Sequence, residues 1–280
     1  MFKIHDHQIT VDGTKIYYMK LGHGTPLIFI HGHRGDSRRI LPILQRLAKF
    51  HTVYAPDMPG FGRSEELHHW HTIEGMVPYI LGVVDHLGCE KFVLGGVSMG
   101  GTVAALVAQK IPDRIERLVL LGPLFDYHCI KIPRYMYTFV LFLIKIFHPN
   151  RPVMWAVNKF VRNDKLFTKL MTRKFPVEDR KPEIIRYELR QWKLMTMKVW
   201  AETVYSALRF QFKEKIPHEI PTILIFSEKD QFFDINKDIK GFRELFPNNE
   251  VHIMKNIEHV QKGPIRDKFL DKFGHIFAKI

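Results

Sequence analysis

The chain has 280 residues, of which 46% are hydrophobic and 25% charged, and this composition excludes a disordered or fibrous protein. Two cysteines, Cys89 and Cys129, are too few for a disulfide framework or a cysteine metal cluster. The N-terminus lacks the apolar region of a secretory signal, and no run reaches the roughly 18 apolar residues of a membrane span. These features predict a cytoplasmic protein with one large core.

The formal net charge of +13 is unevenly distributed along the chain. Between Lys131 and Lys198 there are 16 Lys or Arg residues and only 5 Asp or Glu, so this segment carries most of the excess. Positive charge is compatible with nucleic acid, an anionic membrane or acidic substrates. No nucleic-acid recognition motif accompanies it, so no nucleic-acid partner is expected.

Short apolar runs alternate with helical patterns in the first part of the chain. The predicted strands are Gln8–Val11, Lys15–Met19, Pro26–Gly32, His51–Asp57, Lys91–Val97 and Arg117–Leu121. The predicted helices between them are Ser37–Lys49, Thr72–Leu87 and Met99–Lys110. Runs that are apolar on both faces and separated by helices indicate a mostly parallel sheet with crossover helices, an α/β fold.

The alternation is interrupted from about Phe125 to Phe212, where the pattern is helical. It resumes with a strand at Pro221–Ser227, a helix at Asn236–Leu245, a strand at Glu250–Met254 and a last helix from about Val260. An insertion of this kind commonly packs over the mouth of the sheet. We therefore predict a core domain of residues 1–124 and 213–280, with residues 125–212 inserted as a helical cap or lid.

The run Gly96-Val97-Ser98-Met99-Gly100 fits the pattern G-x-S-x-G. It follows a predicted strand and opens a predicted helix, which is the context that this motif requires. The flanking glycines permit a sharp turn that exposes the hydroxyl, and the helix N-terminus supplies N–H donors for a developing oxyanion. Ser98 is therefore the predicted nucleophile.

The chain resembles the α/β-hydrolase superfamily over essentially its full length. The resemblance rests on five landmarks in order: His31–Gly32, Asp57–Ser64, Gly96–Gly101, Ser227–Asp230 and Glu258–His259. It implies an α/β-hydrolase fold with a helical lid and a serine esterase or lipase type of activity. Epoxide hydrolases and haloalkane dehalogenases of this superfamily carry aspartate at the nucleophile position, so Ser98 argues against both activities.

The resemblance also implies the partners of the nucleophile. His259 occupies the family's histidine position, although the family usually has glycine before it and this chain has Glu258. Asp230 follows the strand after which the family usually places its acid, and the order Ser98, Asp230, His259 is the one that this fold uses. Asp234 and Asp126 are the alternatives for the acid, and a helix N-cap is the structural explanation for Asp234.

Backbone amides are expected to form the oxyanion hole. The N–H of Met99 follows the nucleophile directly, and the resemblance assigns the second donor to the N–H of His33. No cofactor and no metal are expected. His68, His69 and His71 cluster without Cys or acidic partners at ligand spacing, which favours solvated or hydrogen-bonded histidines.

The segment Tyr135–Phe147 is apolar almost all round. It is too short to span a bilayer, so it is either a buried helix or a lid helix that faces an acyl pocket or a lipid surface. The spacing of Ile185, Leu189, Trp192 and Val199 indicates helix packing. The flanking basic residues are compatible with two roles: weak, reversible association of the lid with an anionic membrane surface, or a solvated charged face that keeps the protein soluble.

The substrate predicted from these features is a small carboxylic ester with an apolar acyl or alcohol part. The same constellation would serve a thioesterase or a carbon–carbon bond hydrolase, and a non-catalytic binding protein of the same fold is a further alternative.

Overall fold

The computed structural model describes residues 2–148, 151–163, 165–166, 168–169, 172, 181–259, 263–265, 267–277 and 280. Its strands are β1 His5–Val11, β2 Thr14–Gly22, β3 Thr25–Ile30, β4 His51–Pro56, β5 Phe92–Val97, β6 Ile115–Leu121, β7 Thr222–Lys229 and β8 Asn249–Glu258. Its α-helices are α1 Leu41–Leu47, α2 Ile73–Leu87, α3 Met99–Lys110, α4 Arg134–Phe147, α5 Arg151–Val161, α6 Pro182–Trp192, α7 Met197–Ala207, α8 Ile235–Leu245 and α9 Asp267–Phe277.

The strands form one eight-stranded sheet in the order β1-β2-β4-β3-β5-β6-β7-β8. The first two pairings, β1 with β2 and β2 with β4, are antiparallel, and all the pairings from β4 to β8 are parallel. The central strands β3, β5 and β6 are largely buried because helices cover both faces, as their mostly apolar sequences predict. The predicted α/β fold is confirmed.

Local sequence signals set the ends of α2. The Thr72 side chain accepts a hydrogen bond from the Gly75 amide at the start of the helix. Gly88 takes a left-handed conformation, with φ of 63°, at its end. These are the N-cap and C-cap roles that threonine and glycine favour, and they explain why this helix lies close to its predicted bounds.

Two helices differ from their predictions. The predicted helix Ser37–Lys49 is a 3-10 turn, Ser37–Ile40, followed by α1, whose start is set by a proline in its first turn. The last helix begins at Asp267 rather than near Val260, which lies outside the described residues. Gly263 has φ of 81° and precedes Pro264, and both features disfavour helix at this point.

Between β6 and β7, the described residues form the 3-10 helix Tyr127–Cys129, the helices α4 to α7 and an isolated β-bridge between Asp126 and Gln211. A second isolated β-bridge joins Ile130 to Phe233, which follows β7. Their separation as a cap, with boundaries at 125 and 212, stays a prediction. In the described part of the chain, no helix combines the length and apolarity that crossing a membrane would require.

Candidate active site

Three predicted residues lie just beyond the carboxyl ends of parallel strands. Ser98 follows β5, Asp230 follows β7, and His259 follows β8. Ser98 has φ of 52° and ψ of −122°, a strained conformation for a residue with a side chain, and it directly precedes α3. The turn depends on close backbone approach, because a Cβ atom at Gly100 would lie 2.2 Å from the carbonyl oxygen of His31.

The structure brings these three side chains into one hydrogen-bonded chain. Ser98 Oγ lies 2.9 Å from His259 Nε2, and His259 Nδ1 lies 2.6 Å from Asp230 Oδ2. Because the carboxylate can only accept, Nδ1–H donates to Asp230 and Nε2 is free to accept the serine hydroxyl proton. This is the geometry that a nucleophile, a base and an orienting acid need.

Asp230 is 4% exposed and is ionised in this setting. Burial alone would raise its pKa, but the hydrogen bond and charge of His259 and the amides of Phe232 and Phe233 hold the pKa below its ordinary value. Those two amides donate to Asp230 Oδ1 at 2.8 and 2.9 Å. Each of the two alternative acids caps a helix instead. Asp126 accepts a hydrogen bond from the His128 amide, and Asp234 accepts from the amides of Asn236 and Lys237.

Gly122 is a site residue that the sequence analysis missed. It follows β6 with φ of 53°, and a Cβ atom there would lie 3.0 Å from His259 Cε1. The absence of a side chain therefore leaves room for the imidazole. A glycine directly after a buried strand is the sequence signal that could have identified Gly122 as a site residue.

Of the predicted oxyanion donors, Met99 directly follows Ser98, and His33 follows Gly32, where a Cβ atom would lie 3.4 Å from Ser98 Cβ. Among the described residues, no hydrogen bond uses the backbone N–H of His33 or of Met99, so both donors are available. His31 holds the turn before His33: its Nε2 accepts from the Met58 amide at 2.9 Å, so its Nδ1–H donates to the Gly32 carbonyl at 2.8 Å.

The His33 side chain connects this turn to α7. His33 Nε2 lies 2.9 Å from Thr203 Oγ1, and the Thr203 hydroxyl is itself 2.7 Å from the Val199 carbonyl. The hydroxyl proton goes to that carbonyl, so His33 Nε2–H donates to Thr203. Burial, together with the nearby Arg34 and His31, lowers the pKa of His33 to about 3, and the ring is neutral. The two residues are 170 positions apart in sequence, and no local pattern predicts their contact.

A second network missed from the sequence surrounds Glu202 of α7. This carboxylate, 1% exposed, accepts from the ring and the amide of His71 and lies 2.6 Å from His148 Nε2. His71 is therefore a hydrogen-bonded histidine, one of the two states predicted for its cluster. The network ties the loop before α2 to the end of α4. Among the residues described, no three His, Cys, Asp or Glu side chains could hold a metal ion.

A cavity of about 560 Å³ opens onto Ser98 and His259. Most of its wall is apolar, and helices α6 and α7 contribute Trp192, Trp200 and Val204 to it. One part is charged: Arg34 and Arg39 line it and pair with the buried Glu188 at 3.4 and 3.0 Å. The reacting groups thus face an apolar space large enough for a small organic substrate.

Comparisons with known proteins agree with this architecture. The sequence is 34% identical over 109 residues to a 2-hydroxy-6-oxo-2,4-heptadienoate hydrolase of Pseudomonas putida, covering 36% of this chain and 38% of the relative. It is 33% identical over 119 residues to a soluble epoxide hydrolase of Corynebacterium sp., covering 42% of each protein. The chain thus matches less than half the length of either relative.

The structure resembles that of an esterase from Thermogutta terrifontis, with a TM-score of 0.71 and 19% identity over 98% of this chain and 96% of that one. That identity is low, so this likeness supports the fold alone. The family described as "alpha/beta hydrolase fold" matches residues 25–261, most of the chain. Together with the sheet order and the loop positions of Ser98, Asp230 and His259, this match shows that the chain belongs to the α/β-hydrolase family.

Proposed function

We propose that the protein hydrolyses small carboxylic esters with an apolar acyl or alcohol part. The observation that carries the proposal is the hydrogen-bonded chain from Ser98 through His259 to Asp230 at the wall of a largely apolar cavity. A serine activated in this way attacks carbonyl carbon, and an apolar wall favours apolar substituents on that carbon.

The proposed reaction has two halves. Ser98 Oγ attacks the ester carbonyl while its proton passes to His259 Nε2, and the amides of His33 and Met99 bind the resulting oxyanion. The intermediate collapses to an acyl-serine as His259 returns the proton to the departing alcohol. Water, deprotonated by His259, then attacks the acyl group, and the carboxylic acid leaves as Ser98 recovers its proton.

The environment of the two histidines supports this division of roles. The ionised Asp230 favours the protonated state that His259 reaches during the reaction. His33 is neutral, and its ring is hydrogen-bonded to Thr203. This hydrogen bond helps to fix the orientation of the His33 backbone amide. Phe232 and Phe233 approach the His259 ring edge-on and restrict its rotation.

The test is a series of p-nitrophenyl esters from acetate to decanoate, with a thioester and a vinylogous dienone diketone beside them. We expect kcat/KM to rise by about fourfold for each CH₂ that the cavity buries, which corresponds to about 0.8 kcal/mol, and then to level off. Ser98→Ala is the matched control and should show no turnover. Preference for the thioester or for carbon–carbon cleavage would replace the ester assignment while keeping the same nucleophile.

A further inference from the structure

Helix α4 is apolar on two opposite faces, and only one of them packs against other residues that the structure describes. The inward face includes the buried Ile144, Tyr137 in contact with the Tyr127 ring, and His148 just after the helix, bound to Glu202 of α7. The outward face repeats at helical spacing with Tyr135, Phe139, Phe142 and Ile146. Their exposed fractions run from 50% to 74%.

Helix α5 also exposes large apolar side chains. Trp155 is 64% exposed and Phe160 is 37% exposed, whereas Val157 and Val161 turn inward against α6. We call the combined surface the aromatic cap face, and it consists of Tyr135, Met136, Phe139, Phe142, Ile146, Phe147, Trp155 and Phe160. Eight of the fourteen large apolar side chains that are exposed in the described structure lie on these two helices, so exposed apolar side chains are concentrated there.

The charge around this face has one sign. The segment from Lys131 to Asn163 contains six Lys or Arg residues and no Asp or Glu. Lys145, Lys159 and Arg162 are exposed, and the Lys159 ammonium lies 4.9 Å from the centre of the Trp155 ring. Positively charged side chains therefore lie on and beside the apolar ones.

The exposed apolar side chains and the positive charge together indicate which kind of partner fits this face. A second copy of this chain would bring the same positive charges against the face, and like charges disfavour such contact. An anionic bilayer surface complements the charge, and it accommodates Trp, Tyr and Phe at the headgroup level. The geometry points to the aromatic cap face as the surface that binds anionic lipid membranes, with α4 and α5 lying in the interface.

This surface is separate from the cavity. None of the described lining residues of the cavity comes from α4 or α5, whereas Thr203, Val204 and Ala207 of α7 line it. Helix α4 therefore covers the outside of a cavity-lining helix. The inference stands on the exposed face and its charge, and it does not depend on which bond the active site cleaves.

The test measures binding of the full chain to vesicles made of ether-linked phosphatidylglycerol and phosphatidylcholine in equal amounts, beside pure ether-linked phosphatidylcholine. Ether lipids contain no acyl ester, so binding is measured apart from hydrolysis. We expect sedimentation with the anionic vesicles at about 20 mM salt and release at about 500 mM, with little binding to the neutral ones.

Two pairs of variants locate the surface. Phe139→Ser with Phe142→Ser should weaken binding by at least about tenfold, because each exchange removes apolar area from the interface. Lys145→Gln with Lys159→Gln should weaken it by about tenfold or more and flatten the salt dependence. The control pair, Phe50→Ser with Ile253→Ser, replaces side chains that are 64% and 48% exposed elsewhere and should bind as the parent does.

Thermal unfolding and labelling of Ser98 by a fluorophosphonate report whether each variant is folded. Equal binding by the control pair and the Phe139/Phe142 pair would overturn the inference. The inference would also be overturned if the parent protein bound neither anionic nor neutral vesicles at low salt. A dimer in solution that only the Phe139/Phe142 pair dissociates would assign the face to a second copy and would also overturn it.

Discussion

Asp230 orients His259 through a single carboxylate oxygen, while its other oxygen is held by two amides. In Asp230→Asn, the carboxamide can present an N–H to His259 Nδ1 and favour the wrong tautomer. We expect kcat to fall by about 10⁴, the loss known for the same change in a serine protease, with little change in KM. Steady-state hydrolysis of p-nitrophenyl butyrate measures the effect.

The two alternative acids provide controls for this substitution. Asp126→Asn and Asp234→Asn change residues that cap helices, and a neutral asparagine caps nearly as well as aspartate. Both variants should keep kcat within about twofold, since neither carboxylate bonds to His259. A severe loss in either one, beside a mild loss in Asp230→Asn, would reassign the acid.

Asp238 is a buried acid that the proposed reaction does not use. Burial raises its pKa from 3.8 to about 7, and the hydrogen bond from the Phe125 amide offsets only part of that rise. A carboxyl with a raised pKa in the folded state stabilises the protein below its unfolded-state pKa, and this contribution is lost as pH rises towards about 7.

Asp238→Asn should therefore gain stability relative to the parent as the pH rises. Its free energy of unfolding, minus that of the parent, is expected to increase between pH 5 and pH 8, by no more than about 4 kcal/mol. Urea unfolding at the two pH values, followed by tryptophan fluorescence, measures this difference. A difference that stays constant with pH would show that Asp238 titrates normally.

At the scale of elements, the bond from His33 to Thr203 couples the turn after β3 to helix α7. Thr203→Val keeps the side-chain shape but leaves His33 Nε2–H without its acceptor, which should displace the neighbouring amide. We expect kcat to fall by about tenfold, less than the 10² to 10³ lost when an oxyanion donor is removed outright.

Thr203→Ser retains the hydroxyl and should restore most of that kcat, with KM unchanged in both variants. A fall in KM and kcat together would mean that residue 203 acts through the packing of α7 rather than through His33. Equal losses of kcat in the serine and valine variants would mean the same. The comparison separates a positioning contact from a structural one.

The ends of a helix were predictable where the residues directly beside it act as caps. Thr72 and Gly88 bound α2 because a cap needs only the residues beside it. The last helix begins later than its predicted start near Val260, because Gly263 with its positive φ and Pro264 after it disfavour helix before Asp267. The face of α4 that remains exposed was also not predictable, because both faces of that helix are apolar and tertiary packing chooses between them.

At the scale of the whole molecule, the site is assembled by the order of strands in the sheet. β5, β6, β7 and β8 are neighbours, so loops that are far apart in sequence meet at their carboxyl ends. The motif around Ser98 and the resemblance were enough to predict Asp230 and His259 as its partners. The contacts of His33 with Thr203 and of Glu202 with His71 were not predictable, since each joins α7 to a loop more than 100 residues away without a local pattern.

The central claim is that Ser98 is the nucleophile of a hydrolase, and active-site labelling tests it most directly. A fluorophosphonate probe, followed by peptide mass spectrometry, should modify the parent protein at Ser98 and should leave Ser98→Ala unmodified. Ester turnover should disappear with the label, while the thermal unfolding of Ser98→Ala remains that of a folded protein. Undiminished ester turnover in a folded Ser98→Ala, or labelling at another serine, would contradict the account.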